Sequence, residues 1–302
     1  MPMNKLKIGL LCRNSLNYSN SRIANESVRA GHEIFPIDYV NCDLKMSSDK
    51  CDITYQGESL SHLDAIIPRI SVETNFYGIA VVRQFETMGI FTLNSSMGIL
   101  NARDKLRTMQ ILAQNNLAFP RSIVSHSTFY TQDNIESLGG SPIVIKLLEG
   151  MQGIGTVLAE SDKSAHSVVE TLTSLKTNIM LQEFIAESKG CDIRVFVLGN
   201  KIIATMERTA KEGDFRSNLH RGGTSQKIEL TLSEEEMSLL AAKKIGLNMA
   251  GVDLIHSDKG TMILEVNSCP GLEGIEKTSG ENIASEIIKF IEENYKKNES
   301  SI

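Results

Sequence analysis

The sequence has no tryptophan, few aromatic residues and only five cysteines among its 302 residues. The cysteines, at positions 12, 42, 51, 191 and 269, show no CxxC spacing. They are too few for a disulfide scaffold, so we expect reduced thiols. No apolar run is long enough to span a membrane, and the run 8–12 is too short for the core of a signal peptide. We therefore expect a cytoplasmic protein with no membrane partner.

An excess of positive charge is also lacking. The chain has 31 basic and 37 acidic residues, a net charge of −6. Such a balance disfavours sequence-independent binding to nucleic acid, and we expect no direct nucleic-acid readout. The apolar fraction of 41% and the charged fraction of 23% are ordinary for a globular protein. The length allows about two domains with sizeable cores.

The first third of the chain alternates strand-like and helix-like segments. Strands are predicted at 7–12, 33–40, 63–70 and 91–94, and helices near 20–30 and over 77–89. Strands separated by helix-length segments predict a parallel sheet of the Rossmann-like kind. The first strand is followed by "CRN" where a dinucleotide-binding domain has GxGxxG, so we assign no dinucleotide.

The remainder is rich in strand pairs and predicts an α+β architecture. A helix is predicted within 101–116, hairpins turn at Gly199-Asn200 and at Asp258-Lys259-Gly260, and a C-terminal helix follows from 283. The stretch "PIVIKLLEGMQGIGTVLAE", 142–160, reads as a further hairpin with a glycine-rich tip. Backbone amides at such a tip can close over an anion.

Lys146 stands in the apolar strand of that glycine-rich hairpin. An unpaired ammonium is costly to bury, and a phosphate beneath the glycine tip would be a suitable partner. Two plainer interpretations stay open. The glycine segment can be only a turn, and the lysine can extend its ammonium to solvent at the strand end.

The last hairpin carries the most specific acidic pattern. If its turn centres on Lys259, Asp253 lies directly opposite Glu265, and Asn267 shares the face of Glu265. Two opposed carboxylates repel each other unless a cation lies between them, and an all-oxygen set suits Mg²⁺. The alternative is a solvated hairpin face with unrelated acidic residues.

Between 194 and 221 the chain is locally basic. Six basic residues stand against three acidic ones, a local charge of +3: Arg194, Lys201, Arg208, Lys211, Arg216 and Arg221 against Glu207, Glu212 and Asp214. The planar fork of arginine matches carboxylates and phosphates, which favours an anion-recognition segment. An exposed charged loop is the alternative. We assign no role to His220 and no general base.

Taken in order, the motifs resemble the ATP-grasp superfamily. They are Lys105, Lys146 with "EGMQGIG", "QEFI", "CDIRVFV", "RSNLHRGG", "GVDLI" and "ILEVNSCPGLEGIE". Within it the sequence is most similar to the RimK family of ATP-dependent glutamate ligases, which act on the sixth protein of the small ribosomal subunit. The resemblance covers essentially the whole chain. It implies an N-terminal Rossmann-like (pre-ATP-grasp) domain, 1–95, then a two-subdomain α+β ATP-grasp domain, with a central subdomain, 96–183, and a C-terminal subdomain, 184–302.

The resemblance also implies roles for individual residues. ATP would be bound by Lys105, Lys146, Gln152, Gly153, Gly155, Glu183, Phe184, Asp192, Arg216, Ser217 and Asn218. Mg²⁺ or Mn²⁺, as two ions, would be held by Asp253, Glu265 and Asn267. The catalytic residues would be Lys146, Arg208 and Arg221, and the substrate-binding residues Arg194, Arg208 and Arg221. Met151 departs from the family pattern, which has threonine before Gln-Gly.

The expected reaction begins with phosphorylation of a carboxylate by ATP. The amino group of L-glutamate then attacks the acyl phosphate and forms an amide. The implied acceptor is the C-terminal tail of a small-subunit ribosomal protein, and a homo-oligomer, such as a tetramer, is expected. Two alternatives remain: a ligase that acts on a small-molecule carboxylate, and an ATP-binding regulator that forms no amide.

Overall fold

The computed structural model describes residues 5–148, 155–219 and 222–295. In chain order the N-terminal elements are β1 (Lys7–Cys12), α1 (Tyr18–Arg29), β2 (Glu33–Ile37), β3 (Cys42–Met46), β4 (Cys51–Tyr55), β5 (Glu58–Ser59), β6 (Ala65–Arg69), α2 (Asn75–Thr87) and β7 (Phe91–Thr92). Strands β2, β1, β6 and β7 form a parallel sheet in that order, as predicted. The apolar run "KIGLLC" is buried in β1, as is typical of a central parallel strand.

Residues 33–59 differ from the prediction. The strand expected over 33–40 ends at Ile37, and a 3₁₀ turn follows at Tyr39–Asn41. Strands β3, β4 and β5 then form a small antiparallel sheet that the pattern did not predict. Much of β3 is polar and exposed, so it lacks the apolar alternation that marks a strand.

The middle of the chain forms a second sheet. Its elements are α3 (Ser96–Arg103), α4 (Lys105–Gln114), β8 (Ser122–Val124), α5 (Thr131–Ser137), β9 (Ile143–Leu147), β10 (Thr156–Ala159), α6 (Asp162–Ser174) and β11 (Ile179–Glu183). The antiparallel order is β10, β9, β11, β8, so the hairpin around the glycine segment is confirmed. Helices α5 and α6 bury one face through Ile135, Ala165 and Val169.

The helix predicted within 101–116 is interrupted. Asp104 adopts an extended conformation and its side chain accepts a hydrogen bond from the backbone N–H of Arg107. This N-cap starts a new helix, α4, directly after α3. Arg103 and Lys105 therefore lie on different helices.

The C-terminal part contains β12 (Cys191–Leu198), β13 (Lys201–Thr209), β14 (Thr224–Gln226), α7 (Leu232–Ile245), β15 (Met249–Ser257), β16 (Gly260–Asn267), α8 (Glu273–Ser279) and α9 (Ile283–Asn294). The antiparallel sheet order is β14, β13, β12, β15, β16. Apolar residues of α4 and α7 pack with one face of this sheet. Residues of α8 and α9 pack with the other face and with the parallel sheet, in one core that joins Ile8, Phe196 and Ile287.

The last hairpin confirms the predicted pairing and corrects its turn. Asp253 lies opposite Glu265, as predicted. The turn is nevertheless the two residues Asp258-Lys259, with Ser257 paired to Gly260, and is not centred on Lys259. A β-bulge between the turn and the acidic pair inserts one residue into β16 and restores the opposition.

None of the helices in the described ranges is long and apolar enough to cross a membrane.

Candidate active site

A row of charged residues crosses the C-terminal sheet. Arg208 of β13 pairs with Asp192 of β12, and Arg194, two residues further along β12, pairs with Asp253 of β15. Asp253 in turn lies opposite Glu265 of β16. Because residues two apart on a strand share a face, all five side chains project from the same side of the sheet. We call these five residues the charge ladder.

Within the charge ladder, arginines and aspartates form direct ion pairs. The Arg208 guanidinium donates to both carboxylate oxygens of Asp192, at 2.7 and 2.6 Å, and its Nη2 also donates to Asp253 Oδ2 at 2.9 Å. Arg194 Nη2 donates to Asp253 Oδ2 at 2.7 Å, and its Nε contacts the other oxygen. Two-point contacts of this kind are the strongest that arginine makes with a carboxylate.

The ion pairs determine the charge states of Arg208 and Asp253. Asp253 and Arg208 are 4% and 5% exposed. Burial acts to lower the pKa of Arg208, but Asp253 and Asp192 outweigh it and raise that pKa. Burial likewise acts to raise the pKa of Asp253, and the two arginines hold it below its usual value. The buried groups therefore stay ionised because they compensate one another.

The loop after β13 adds polar groups beside the ladder. Ser217 donates its hydroxyl to Asp192 Oδ2, and it is buried. Arg216 donates from Nε to Asp214 at 2.9 Å and lies over the ring of Phe215, 5.4 Å from its centroid. Asn218 is half-buried in the same segment. The three residues predicted here for the nucleotide site thus lie together, next to Asp192.

The two predicted phosphate lysines lie on the central part of the chain. Lys105 begins α4, and its Nζ donates to the carbonyl of Leu148 at 3.2 Å. Lys146 lies on β9, opposite Thr156 of β10 and Met180 of β11.

Electrostatics relate these lysines to the charge ladder. Burial lowers the pKa of Lys146 to about 8. The charge of Glu265 opposes this shift, Lys105 adds to it, and Asp253 opposes it more weakly. Burial also lowers the pKa of Lys105, and Glu265 again offsets only part of the effect. The charge of Glu265 therefore acts on both lysines, and it leaves the charge of Lys146 only partly compensated.

The predicted adenosine residues lie at the end of β11. Glu183 accepts hydrogen bonds from the backbone N–H of Arg121 at 2.8 Å and from its Nε at 2.6 Å. Phe184 packs edge-on against Phe215, with centroids 6.2 Å apart. Both residues line a cavity of about 250 Å³ that also borders Lys259. Asp192, predicted beside them, lies in the charge ladder.

The sequence reasoning missed Arg121 and Lys259. Arg121 forms the ion pair with Glu183, and the ammonium of Lys259 lies 4.0 Å from the same carboxylate. Arg121 follows a proline in a segment without periodicity, and Lys259 was interpreted only as a turn residue. Neither carries a local signal that could have identified it.

The predicted metal ligands lie at the far end of the ladder. Glu265 is exposed, and Asn267 Oδ1 accepts the backbone N–H of Cys269 at 2.8 Å. Over residues 5–148, 155–219 and 222–295, no three His, Cys, Asp or Glu side chains are grouped to hold a metal ion. The candidate set joins two carboxylates to one amide oxygen. These hard oxygen donors retain lone pairs beyond those in use and fit Mg²⁺.

Three predicted site residues lie outside the described residues: Gln152, Gly153 and Arg221. The same holds for Met151 and His220. Gly155 is described, with a positive φ of 76° just before β10. A Cβ there would lie 2.5 Å from the side chain of Leu147, so glycine is required by both conformation and space.

These features define the class of the protein. Two antiparallel sheets, one that carries Lys146 and one that carries the charge ladder, follow a parallel sheet, which is the arrangement of an ATP-grasp ligase. Residues 102–291 match the RimK-like ATP-grasp domain, and residues 6–99 match the RimK PreATP-grasp domain. The chain therefore belongs to the RimK family of ATP-grasp enzymes.

Known proteins agree with this assignment. The chain is 50% identical over 293 residues to the "Probable alpha-L-glutamate ligase" of Vibrio atlanticus (strain LGP32), with 97% of each chain covered. It is also 50% identical over 291 residues to the protein of the same name from Coxiella burnetii (strain Dugway 5J108-111), covering 96% of this chain and 97% of that one. The ATP-grasp ligase PsnB, solved with a phosphomimetic variant of a minimal precursor, Mg and ADP, shares the fold. Its TM-score is 0.73 at 17% identity, with 96% and 98% of the chains covered.

Proposed function

We propose that this protein uses ATP to join L-glutamate to a carboxylate acceptor through an amide bond. The relatives at 50% identity are named for this activity. The observation that carries the proposal is the buried Asp253, which two arginines keep ionised opposite Glu265. An ionised Asp253 opposite a second carboxylate, together with Lys105 and the under-compensated Lys146, suits a polyphosphate with its counterions.

The first step is the activation of the acceptor. A carboxylate oxygen of the acceptor attacks the γ-phosphorus of ATP, and the bond from that phosphorus to the bridging oxygen of ADP breaks. The products are an acyl phosphate and ADP. Lys105 and Lys146 would bind the phosphates and neutralise charge that develops on the leaving group. Gln152, Gly153 and Gly155 would supply backbone contacts to the same phosphates.

Three residues would hold the divalent cations. Asp253, Glu265 and Asn267 would bind Mg²⁺ or Mn²⁺, as two ions, which neutralise phosphate charge when bound. Arg194 and Arg208 keep Asp253 deprotonated and fix its orientation. Their role toward the cation is therefore that of positioning residues.

The second step forms the amide. The amino group of L-glutamate attacks the acyl carbon, the bond to the phosphate oxygen breaks, and inorganic phosphate and a proton leave. Guanidinium N–H groups of Arg194, Arg208 and Arg221 would hold the acceptor carboxylate in the first step and the acyl phosphate formed from it in the second. At the nucleotide end, Glu183, Phe184 and Asp192 would contact adenosine, with Arg216, Ser217 and Asn218 beside them.

The acceptor in this proposal is the flexible C-terminal tail of a small-subunit ribosomal protein, and the enzyme acts as a homo-oligomer. The support is the likeness of the motifs to the RimK family. If the basic segment 194–221 attracts an acidic tail, acceptor use weakens with salt, since attraction between solvent-exposed charges is screened over about 10 Å at 0.1 M salt. Acceptor use that is unchanged across salt would contradict a charged tail as the acceptor.

Mass spectrometry tests the proposal directly. The protein is incubated with ATP, Mg²⁺ and L-glutamate, with and without small ribosomal subunits. We expect a series of glutamate-sized mass additions on one ribosomal protein. Asp253→Asn should abolish these additions. Asp258→Asn, which changes an exposed acid on the turn of the same hairpin, should preserve them.

The other outcomes separate the acceptor from the reaction. ADP release that requires glutamate, without additions to a ribosomal protein, would exclude this acceptor and direct the search to small-molecule carboxylates. If glutamate stimulates no ADP release with any carboxylate acceptor supplied, glutamate ligation itself would be refuted.

A further inference from the structure

Two arginines outside the charge ladder lie where the parallel sheet packs against the C-terminal sheet. Arg69 ends β6, and its Nη1 donates to the carbonyl of Pro270 at 2.9 Å. Arg103 ends α3, and its Nη1 donates to the carbonyl of Ser71 at 3.0 Å. It also contacts the carbonyl of Ile70 and the side chain of Asn75. Arg69 thus reaches from the end of β6 to Pro270, and Arg103 binds the two residues that follow Arg69 in the chain.

This pair lies next to the candidate reaction centre. Pro270 is three residues beyond Asn267, the last predicted metal ligand. A Cβ built on Gly251 would lie 3.0 Å from Pro270 and 3.3 Å from Arg194. Gly251 therefore separates Pro270, which Arg69 contacts, from Arg194, which contacts Asp253. Because Gly251 has no side chain, Pro270 and Arg194 lie close together.

The loop around Pro270, residues 268–272, is held in place on both sides. Asn94 donates to the carbonyl of Ser268 at 3.0 Å, and Ser19 accepts the backbone N–H of Leu272 at 2.9 Å. Both partners come from the N-terminal part of the chain. The distance between Arg69 and the charge ladder is therefore fixed by the fold, and a ligand at this junction would be presented to the ladder in one orientation.

The charge balance at this junction differs from that of the ladder. Among the described residues neither Arg69 nor Arg103 forms an ion pair with a carboxylate, and both are partly buried. Arg69 donates its Nε to the neutral amide of Asn20 at 3.3 Å. Burial lowers the pKa of Arg103, and Cys269, Tyr39 and the exposed Glu73 offset only part of this shift. Both guanidinium groups keep further N–H donors that no described residue accepts.

We propose that Arg69 and Arg103 bind the two carboxylates of the incoming L-glutamate. The inference rests on the proposed function. Glutamate brings two carboxylates that remain charged and do not react, and each suits the fork of one guanidinium. With both held at the junction, the amine extends toward Arg194 and Asp253, where the acyl phosphate forms. The pair would thereby select glutamate against glutamine, which lacks the second charge.

Binding and kinetics of Arg69 variants test this role. L-glutamate is titrated calorimetrically into the protein with Mg²⁺ and a non-hydrolysable ATP analogue, and KM is measured by ADP release with a synthetic peptide that ends in glutamate. For Arg69→Gln we expect an increase of at least about tenfold in both Kd and KM for glutamate, because a charge-assisted contact is lost. The KM for ATP should change less than about twofold, and the preference for glutamate over glutamine should fall with glutamate affinity.

The controls separate ligand binding from structural support. Arg69→Lys, which keeps the charge, should recover part of the affinity. Arg83→Gln removes an exposed arginine of α2 that pairs with no carboxylate in the described part of the chain, and it should change nothing. Arg103→Lys is the second variant at the junction and should raise the KM for glutamate in the same direction without altering that for ATP.

The readouts distinguish this inference from the proposed function. If the wild type ligates glutamate and Arg69→Gln and Arg103→Lys bind it equally well, the inference is wrong and the ligase stands. If the wild type binds glutamate through Arg69 but transfers none to any acceptor, the junction site stands and ligation fails. A wild-type protein that neither binds nor ligates glutamate would overturn both.

Discussion

The candidate site contains two groups of buried or half-buried cations whose surroundings differ. On the C-terminal sheet, Arg208 makes a two-point contact with Asp192 and a single contact of 2.9 Å with Asp253, and Arg194 makes a two-point contact with Asp253. On the central sheet, burial lowers the pKa of Lys146 to about 8. The arginines are paired with carboxylates, which favour their charged form. Lys146 is desolvated, and among the described residues no carboxylate is in direct contact with it.

The difference suggests separate tasks for the two groups. A compensated arginine–aspartate network keeps one geometry and holds its carboxylate ready for a cation. An under-compensated lysine gains most when a phosphate arrives, because the ligand supplies the missing charge. The first group would therefore contribute to the stability of the fold as well as to function, and the second to function alone. Substitutions in each group, followed by measurements of stability and activity, can test this distinction.

The largest effect on the fold is expected for Arg208→Met. Removing this arginine leaves Asp192 and Asp253 buried with only Arg194 nearby, and breaking one partner of a buried ion pair costs about 3–5 kcal/mol. The free energy of unfolding, measured by urea denaturation without nucleotide, should fall by about that amount. Ligation should also be lost.

The partner substitution sharpens that result. If Arg208→Met has the same urea midpoint of unfolding as the wild type, the charge ladder does not stabilise the fold. The proposed difference between the arginines and Lys146 would then be wrong. The double change Arg208→Met with Asp192→Asn should recover part of the loss, because it removes one of the carboxylates left unpaired.

Lys146→Met should behave in the opposite way. The variant removes a cation whose burial is unfavourable, so its free energy of unfolding should equal or exceed that of the wild type. Its kcat/KM for ATP should nevertheless fall about 100-fold, which is typical for loss of one electrostatic contact in a reaction centre. Urea denaturation and ADP release measure the two quantities.

A matched lysine provides the control for this substitution. Lys201 is an exposed lysine on β13, and Lys201→Met should leave both quantities unchanged. A Lys146→Met protein that is markedly less stable would show that the ammonium has a structural partner. Activity near the wild-type level would remove Lys146 from the phosphate site.

Local sequence patterns predict much of this arrangement. The apolar run of β1 and the alternation of the hairpins predict their strands, and the opposed Asp253 and Glu265 follow from strand pairing. The bulge that restores this pairing cannot be predicted from the sequence. A turn centred on Lys259 without a bulge and a two-residue turn with one extra residue in β16 both place Asp253 opposite Glu265. The break at Asp104 was also missed, since the helical pattern continues across it.

Contacts between distant segments escape such patterns. Arg121 and Glu183 are 62 residues apart, and Arg69 and Pro270 are 201 residues apart. Periodicity reports which face of an element is apolar and does not report which loops meet. The pairing of Asp192 with Arg208 was likewise not foreseen, although both residues had been singled out as functional. Strand register, rather than residue type, determines that contact.

The contrast between the groups also predicts a pH effect. Burial lowers the pKa of Lys146 from its ordinary value of 10.5 to about 8. Between these values the unfolded chain binds a proton that the folded chain has lost, so this group makes stability increase with pH, by at most about 1.4 kcal/mol per unit. Urea denaturation of metal-free protein between pH 7.5 and about 10 measures it.

Lys146→Met isolates the contribution of this group. The stability difference between wild type and variant should shift in favour of the wild type as pH rises through about 8, because only the wild type loses an unfavourable buried charge. In parallel, the KM of the wild type for ATP should rise above that pH as the ammonium deprotonates. A stability difference independent of pH would mean that the ammonium stays protonated, as a compensated group does.

The smallest effect is expected at Arg121, which combines features of the two groups. It contacts Glu183 at 2.6 Å like a ladder arginine, but its side chain is 51% exposed. Exposed ion pairs contribute only about 0.2–1 kcal/mol, so Arg121→Gln should lower stability by no more than this and raise the KM for ATP less than about threefold. Arg107→Gln, at an exposed position of α4, is the control. An increase of tenfold or more in the KM for ATP, without loss of stability, would place Arg121 among the residues that contact the nucleotide. A cation that is paired with a carboxylate would then bind the nucleotide, so pairing would no longer distinguish structural from ligand-binding cations at this end of the site.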